Sequence, residues 1–219
     1  MVVWAMGWIR GSASCGRNYG TAGLEPIFTH SPRVIRLSLI RRTIEMTGKE
    51  FFNKIANSEV DMVELLLAML HETETDYCVI GGLAVNAYAE PVVSLDLDLV
   101  VVSARIPELA ETARSAGMKV EEFEHSVNLS IAGSDLRVQL QKDPRYQEFI
   151  SRAHDHSVLG YELSVASVED VLAGKVWAFS DRTRRASKRQ KDLADIMRLV
   201  ETHPELRDSL PEEIAVLLD

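Results

Sequence analysis

The sequence predicts an α/β (α+β) protein with a small mixed β-sheet and flanking helices. Two runs rich in β-branched residues, 77–80 and 93–102, have the pattern of buried strands. Apolar residues recur at helical spacing over 60–71. A Gly-Ser-Asp turn at 133–135 joins two further apolar segments into an antiparallel hairpin. Some of these strands are connected through helices and others by a tight turn, and this combination indicates a mixed sheet.

Local signals delimit the elements. Ser58-Glu59-Val60-Asp61 has the pattern of a capping box that opens a helix, and the same pattern recurs at 167–170. Pro91 is expected to stop the helix that follows the first strand. In chain order we predict helices 50–57 and 60–71, strand 77–80, helix 83–89, strand 93–102, helix 107–116, strands 118–123, 127–132 and 136–141, helix 144–153, an edge strand 161–165, and helices 167–179, 187–201 and 211–218.

Composition restricts the class of protein. With 219 residues, 46% hydrophobic and 26% charged, the chain is long enough for one sizeable core. The net charge of −9 argues against a surface that binds nucleic acid or anionic lipid as a whole. No run approaches the ~20 apolar residues of a membrane helix. Two cysteines are too few for a disulfide framework. We therefore expect a soluble, cytoplasmic protein without membrane association.

The first 45 residues differ from the rest. They contain six arginines, no lysine and only Glu25 and Glu45 as acids, without steady periodicity. A transit peptide would need a clear amphipathic run, which is missing. We expect residues 1–45 to be a disordered extension or to precede a functional start at Met46. Residues 46–219 are expected to form one domain.

Two carboxylates, Asp96 and Asp98, lie inside the most β-branched run of the chain. Residues two apart on a strand share a face, so these acids are neighbours. Burying two like charges is costly unless a cation accompanies them, and Mg²⁺ or Mn²⁺ takes carboxylate oxygens while leaving room for phosphate. Ser94 lies on the same face and can donate a hydrogen bond. The alternative is an edge strand whose outer face exposes both acids to water.

A paired glycine, Gly81-Gly82, lies between the first strand and the next helix. Backbone N–H groups without side chains can approach a phosphate closely. On its own, a paired glycine is more often only a tight strand-to-helix turn. Followed by Asp96-x-Asp98 on the next strand, it would place a phosphate site opposite a metal site.

The paired glycine, the short helix and the Ser-x-Asp-x-Asp pattern at 94–98 together resemble the signature of the DNA polymerase β-like nucleotidyltransferase superfamily. Downstream, SVEDVLAGK at 167–175 and KDLADI at 191–196 resemble its AbiEii/AbiGii toxin-type branch. The resemblance extends over about 77–200. It implies a nucleotidyltransferase-like domain with C-terminal helices, which binds an NTP and Mg²⁺ (or Mn²⁺) and transfers a nucleotidyl group to a hydroxyl.

The resemblance also implies roles for residues. Asp96 and Asp98 would be metal ligands, Lys175 would reach the phosphates, and Asp192 would orient that lysine or the site. Independently of the resemblance, Lys175 falls on an otherwise apolar helix face, where it needs an anion unless its ammonium reaches water at the helix margin. The residues implied for nucleotide binding are Gly81, Gly82, Ser94, Lys175, Lys188 and Lys191.

Three departures from the family pattern affect the site. Val92 stands where many members carry Arg, and Gly82 is not followed by the usual Ser. The position of a third carboxylate, which would accept the proton of the attacking hydroxyl, holds Gln139. Asp135, at the turn before this strand, is the candidate replacement, with Asp143 as a second. Without either, the protein would bind nucleotide with little transfer.

The segment from Arg182 to Lys191 holds six of the 24 basic residues and no acid. It is predicted to bind the triphosphate or an RNA acceptor, with strong salt dependence. The alternative is a solvated loop and helix start that forms ion pairs with Asp192 and Asp195. The histidines of His154-Asp155-His156 are predicted to be surface residues of a loop rather than metal ligands.

The sequence therefore favours a metal-dependent nucleotidyltransferase that moves an NMP from an NTP to a hydroxyl of RNA or protein. Its resemblance implies a toxin with an antitoxin partner. Two alternatives remain at this point. One is a weakly active or inactive nucleotide- or RNA-binding module on the same fold. The other is an interaction protein in which Asp96 and Asp98 are only ion-paired.

Overall fold

A computed structural model of the chain describes residues 46–218, so the extension predicted for residues 1–45 lies outside the described residues. Seven strands form one mixed sheet. They are β1 (Tyr77–Ile80), β2 (Asp96–Val101), β3 (Lys119–Glu122), β4 (Ser126–Ser130), β5 (Arg137–Gln141), β6 (His154–Val158) and β7 (Tyr161–Val165). Their order across the sheet is β3-β4-β5-β2-β1-β7-β6.

Helices connect and cover the strands. The α-helices are α1 (Gly48–Ile55), α2 (Met62–Glu72), α3 (Gly81–Val85), α4 (Ile106–Ser115), α5 (Val168–Ser180), α6 (Ala186–Thr202) and α7 (Glu212–Ala215). Short 3₁₀ helices occupy Ser103–Arg105, Pro144–Arg152, Pro204–Ser209 and Val216–Leu218. No helix within residues 46–218 is long and apolar enough to cross a membrane.

The sheet combines both directions of pairing. β1 is antiparallel to β2 but parallel to β7, and β2 is parallel to β5, which pairs with β4 in an antiparallel hairpin. One row of directly opposed residues crosses four strands at Ile80, Asp98, Gln139 and Asn128. The fold class predicted from the sequence is thereby confirmed.

The two faces of the central strands differ in polarity. Leu97 and Leu99 of β2 are 1% exposed, and Val138 and Leu140 of β5 are fully buried, so these residues form part of the core. The residues between them on each strand point to the opposite face. That opposite face carries the two acids of β2 and is left open enough to form a cleft.

Several predicted boundaries shift. β2 begins at Asp96 rather than at 93, and Gly81 opens α3 instead of ending β1. The cap of α2 is Asp61, whose carboxylate accepts from the Glu64 N–H at 3.1 Å. Asp61 is the fourth residue of the Ser58–Asp61 pattern, so local polar residues locate the helix start but not its cap.

The largest error concerns the sheet edge. The loop predicted for His154-Asp155-His156 is wrong, because these residues are part of β6, which forms the edge and covers β7. β7 is therefore an interior strand, parallel to β1, and not the predicted edge. β6 is polar on both faces, with only Val158 buried. A strand without apolar alternation gives no periodic signal, which explains the miss.

Candidate active site

Asp96 and Asp98 lie on the open face of β2, each opposite a polar residue of β5. Asp96 is held by two cations: its Oδ1 lies 2.8 Å from the Arg137 guanidinium, and its Oδ2 lies 3.5 Å from Lys188 Nζ. Lys188 comes from α6. The two acids are thus neither exposed to open water nor remote from the basic segment.

Gly81 allows the close approach of α3 to Asp98. Its φ is +72°, a conformation that residues with a side chain rarely adopt. A Cβ on Gly81 would lie 2.9 Å from Asp98 Cγ, so the carboxylate occupies the space that a side chain would need. The requirement for glycine at this corner therefore has two independent causes, backbone conformation and contact with Asp98.

Burial raises the pKa of Asp98 above its ordinary value of 3.8. The charge of Lys175 opposes this change, while the charge of Asp96 adds to it. Burial therefore disfavours the ionised form of Asp98, and additional positive charge in the cleft would stabilise that form.

Gly82 faces a small space bounded by a hydroxyl and an ammonium group. From the point where a Cβ would stand, Ser94 Oγ lies 3.5 Å away and Lys191 Nζ 3.9 Å away. Ser94 is 6% exposed, and its hydroxyl lies 3.5 Å from both the backbone N and the backbone O of Asp96. A side chain at position 82 would fill this space, which suits a small anionic group.

Lys175 of α5 is buried and paired with two acids of α6. Its ammonium lies 3.2 Å from Asp192 Oδ1 and 2.7 Å from Asp195 Oδ2. Asp195 Oδ2 nonetheless lacks a partner with hydrogen-bond geometry among the described residues. Arg184 donates to the other oxygen of Asp192 at 2.9 Å, and Arg198 donates to Asp195 at 2.8 Å. The lysine predicted to need an anion is thus fixed by carboxylates in a network.

Most of these groups, but not Asp195 or Arg198, line one cleft of about 280 Å³. The cleft brings together residues from β1, β2, β4, β5, α3, α5 and α6. The predicted site residues that line it are Gly81, Gly82, Ser94, Asp96, Asp98, Lys175, Lys188, Lys191 and Asp192. Candidates predicted from separate segments of the sequence therefore meet in a single concave site.

One predicted catalytic residue does not line the cleft. Asp135 accepts a hydrogen bond of 2.6 Å from the Asn57 side chain, and its backbone N–H donates to Ala56 at 2.7 Å. Asp143 is likewise engaged elsewhere, with Arg145 at 2.6 Å. The cleft position opposite Asp98 is occupied by Gln139. The geometry therefore gives no third carboxylate from either replacement.

The basic segment is divided between the cleft and the surface. Arg184, Lys188 and Lys191 line the cleft, whereas Arg182 and Arg185 are exposed. Arg184 forms an ion pair with Asp192, as the alternative of a solvated loop and helix start predicts. Asp195 instead pairs with Lys175 and Arg198. The segment therefore supplies both fixed ion pairs and further positive charge at the cleft.

Some cleft residues carry no functional prediction from the sequence. The sequence predicts only that Arg137 lies on a strand, on the face opposite the apolar residues, and that Tyr146 lies in a helix. Arg137 lies beside Asp96 because β5 pairs in parallel with β2, and no local sequence pattern indicates that pairing. No local pattern distinguishes Tyr146.

The two β2 carboxylates suit a hard divalent cation. Mg²⁺ in nucleotide sites is commonly held by one or two carboxylates together with substrate phosphates and water. No group of three or more His, Cys, Asp or Glu side chains within residues 46–218 is arranged to hold a metal ion. Asp96 and Asp98 provide two carboxylates of the kind that such nucleotide sites use.

Several solved structures are similar to this chain at low sequence identity. The antibiotic-resistance factor ANT(2″)-Ia is 16% identical, with 71% of this chain and 86% of that chain covered and a TM-score of 0.46. The lincosamide antibiotic adenylyltransferase LnuA, solved with lincomycin, is 11% identical, with 63% and 95% covered and a TM-score of 0.45. No curated protein sequence matches significantly.

A family model gives the assignment. The model described as nucleotidyl transferase AbiEii toxin, type IV toxin–antitoxin system, matches residues 64–219, which is most of the chain. The match includes the glycine corner, the Asp pair and the lysine network described above. The sequence resemblance is thus confirmed, and the chain belongs to the AbiEii family of nucleotidyltransferases.

Proposed function

We propose that this nucleotidyltransferase transfers an NMP from an NTP to an acceptor hydroxyl with Mg²⁺ (or Mn²⁺). The observation that carries the proposal is the meeting of Asp96 and Asp98 with the Gly81-Gly82 corner and the Lys175 network in one cleft. A triphosphate adds negative charge to a cleft that already holds these two acids, so positive charge is needed to balance it. The cationic side chains around the cleft supply the balance.

The roles of the residues follow from their positions. Asp96 and Asp98 would hold the ion, which when bound neutralises phosphate charge and favours ionisation of the attacking hydroxyl. Binding requires Asp96 to exchange part of its pairing with Arg137 and Lys188, and those cations are then free for phosphate oxygens. Lys191 beside Gly82 is placed for the same purpose. Lys175, fixed by Asp192, would present a directed ammonium with little loss of side-chain entropy.

The acceptor is proposed to be RNA. Arg182 and Arg185 are exposed next to the cleft, beyond the cations that line it. Such a surplus of positive charge on a protein of net charge −9 suits a polyanionic acceptor. Protein remains the competing acceptor. A toxin role, restrained by an antitoxin protein, is proposed on the basis of the family to which the chain belongs.

The test uses purified protein, each of the four NTPs labelled at the α-phosphate, Mg²⁺ and total RNA. We expect labelled RNA, and we expect Asp96→Ala with Asp98→Ala to abolish the label. Labelling that persists in the double variant would refute the proposed site. Omitting RNA while analysing the protein itself distinguishes protein from RNA as acceptor.

A second measurement separates binding from transfer. NTP and Mg²⁺ added together should raise the melting temperature, because ligand that binds only the folded state stabilises by about 2.7 kcal/mol at 100 times Kd. A rise without labelling of RNA or protein would favour a nucleotide-binding role. No rise under any condition would favour a role in protein interaction alone.

A further inference from the structure

The connector between α3 and β2, residues 86–95, carries Ser94 into the cleft and contains neither helix nor strand. Residues 90–93 are exposed, whereas Ser94 is 6% exposed. An exposed segment without regular structure opens at little cost in free energy unless specific contacts hold it. The positions of Ser94 and of Asp96, which begins β2, therefore depend on the groups that hold this connector.

One of these groups is the side chain of Asn86, the residue that follows α3. Its amide nitrogen donates to the Val92 carbonyl at 2.8 Å, and its amide oxygen accepts from the Val92 N–H at 2.9 Å. A single side chain thereby satisfies both polar groups of the Val92 backbone. Since α3 begins at Gly81, these bonds tie the connector to the helix that forms the glycine corner.

The second group is Arg198 of α6, which reaches the connector from outside the cleft. Its Nη2 donates to Asn86 Oδ1 at 2.9 Å and to the Glu90 carbonyl, and its Nη1 donates to Asp195 Oδ1 at 2.8 Å. The Arg198 side chain is 19% exposed. A charged donor makes stronger hydrogen bonds than a neutral one. One guanidinium therefore joins the connector to a buried acid of α6.

Asp195 links this guanidinium to the lysine of the cleft. Asp195 is 4% exposed, and its Oδ2 lies 2.7 Å from Lys175 Nζ. The bond from Arg198 to the other oxygen of this carboxylate restricts its rotation and leaves Oδ2 facing the lysine. Arg198 thus acts on two walls of the cleft, directly on the connector that carries Ser94 and through one carboxylate on Lys175.

This arrangement needs the two terminal nitrogens of an arginine. Nη1 faces α6 and Nη2 faces the connector, and the planar guanidinium keeps the two nitrogens at a fixed separation. A lysine at position 198 would keep a positive charge near Asp195, but its single nitrogen cannot occupy both positions. Arg198→Lys therefore separates the effect of charge from the effect of geometry.

We propose that Arg198 is a positioning residue for the nucleotide, which holds the connector and Asp195 so that Ser94 and Lys175 keep the separation that the phosphates need. This inference rests on the proposed function. Without the two-sided contact, the connector would follow several paths, and nucleotide would bind only the fraction of molecules with the correct one. The apparent affinity falls in proportion to that fraction. Transfer within the complex, once formed, is expected to change little.

The experiment measures Kd on the full chain for α,β-methylene analogues of the four NTPs with Mg²⁺, at a temperature at which circular dichroism shows each variant to be folded. Arg198→Lys should raise Kd and the KM for NTP about five- to tenfold, with kcat within about twofold of the wild type. Arg114→Lys is the matched control. Its Nη1 and Nη2 also bind two different residues, Glu111 and Glu122, each at 3.1 Å, on α4 and β3 outside the cleft. It should leave Kd unchanged.

A second variant tests the connector without altering the buried charges. Asn86→Ala removes both bonds to Val92 and one acceptor of Arg198, so it should also raise Kd. Because both substitutions act through one connector, the double variant should lose less affinity than the product of the two single effects. Hydrogen exchange in peptides that cover residues 86–95 should be faster in both single variants and slower again with analogue and Mg²⁺.

Three results would overturn the inference. They are an unchanged Kd in Arg198→Lys despite a lower melting temperature, an equal rise in Kd in Arg114→Lys, and effects of Arg198→Lys and Asn86→Ala that multiply fully. The first is the pattern of a residue that only stabilises the fold. A wild-type protein that binds none of the analogues, or label transfer that survives Asp96→Ala with Asp98→Ala, would instead remove the proposed function. The two failures are thus distinguishable.

Discussion

Gly81 and Asp98 are in direct contact: a Cβ added to Gly81 would lie 2.9 Å from Asp98 Cγ. The glycine opens α3 and the acid lies on β2, so this contact sets the distance between the helix and the acidic strand. Any side chain at position 81 must displace the carboxylate or move the helix.

Gly81→Ala should therefore lower both stability and nucleotide binding. The positive φ alone costs about 1–2 kcal/mol for a residue with a Cβ, and the contact with Asp98 adds to it. Gly117→Ala is a matched control, because Gly117 has a φ of +82° and nothing within 4 Å of its would-be Cβ. Chemical unfolding and NTP–Mg²⁺ titration of both variants measure the difference. Equal losses in the two would show that the contact has no effect.

Asp98→Asn should stabilise the ligand-free protein at neutral pH. Burial raises the pKa of Asp98 above 3.8, so the folded state favours the protonated form. The stability gained from this is present below pH 3.8 and is lost as pH rises through the raised pKa. The asparagine side chain stays uncharged at every pH, so the variant does not lose this stability as pH rises. Melting temperature against pH is the measurement.

Asp96→Asn provides the contrast for this prediction. Asp96 pairs with Arg137 and Lys188, so its neutralisation removes attraction and should give no gain in melting temperature. Both variants should lose the stabilisation by NTP with Mg²⁺. A lower melting temperature for Asp98→Asn than for the wild type at neutral pH would contradict the prediction.

Lys175→Met should be strongly destabilising. The lysine is 7% exposed, and its removal leaves Asp192 and Asp195 buried with less positive charge. Breaking a buried pair on one side typically costs about 3–5 kcal/mol. Lys188→Met, which removes a partly exposed partner of Asp96, should cost less than about 1 kcal/mol. Comparable losses in urea unfolding would argue against a structural network at Lys175.

Arg182→Glu with Arg185→Glu should weaken RNA binding without changing NTP binding. Both arginines are exposed and neither lines the cleft. For a single strand, the steepness of log K against log salt decreases by about 0.7 for each phosphate that the protein no longer neutralises. Arg105→Glu, on the turn before α4, is the control. An unchanged salt slope in the double variant would place RNA elsewhere or exclude it.

The candidate site is largely predictable from the sequence because its residues break local rules. Asp96 and Asp98 interrupt a β-branched run, Gly81-Gly82 interrupts a strand-to-helix junction, and Lys175 interrupts an apolar helix face. Each break needs a physical reason, and a shared ligand supplies one for all. The family resemblance then joins segments that spacing alone does not join.

What the sequence does not predict depends on pairing between distant strands. Arg137 and Gln139 enter the cleft only because β5 lies parallel to β2, which no local pattern reports. Asp135, two residues before Arg137, is a reasonable third acid by spacing. The chain at that point is instead bound to Asn57 and Ala56 in the turn after α1.

The order of segments in the cleft has a consequence for the time course of synthesis. β2 presents its acids early, but Lys188 and Lys191 belong to α6, which is synthesised well after β2. Parallel pairing of β1 with β7 likewise waits for the second half of the chain. A nascent or truncated product that ends before α6 has the acids without their counter-charges. We expect nucleotidyl transfer to require synthesis through α6.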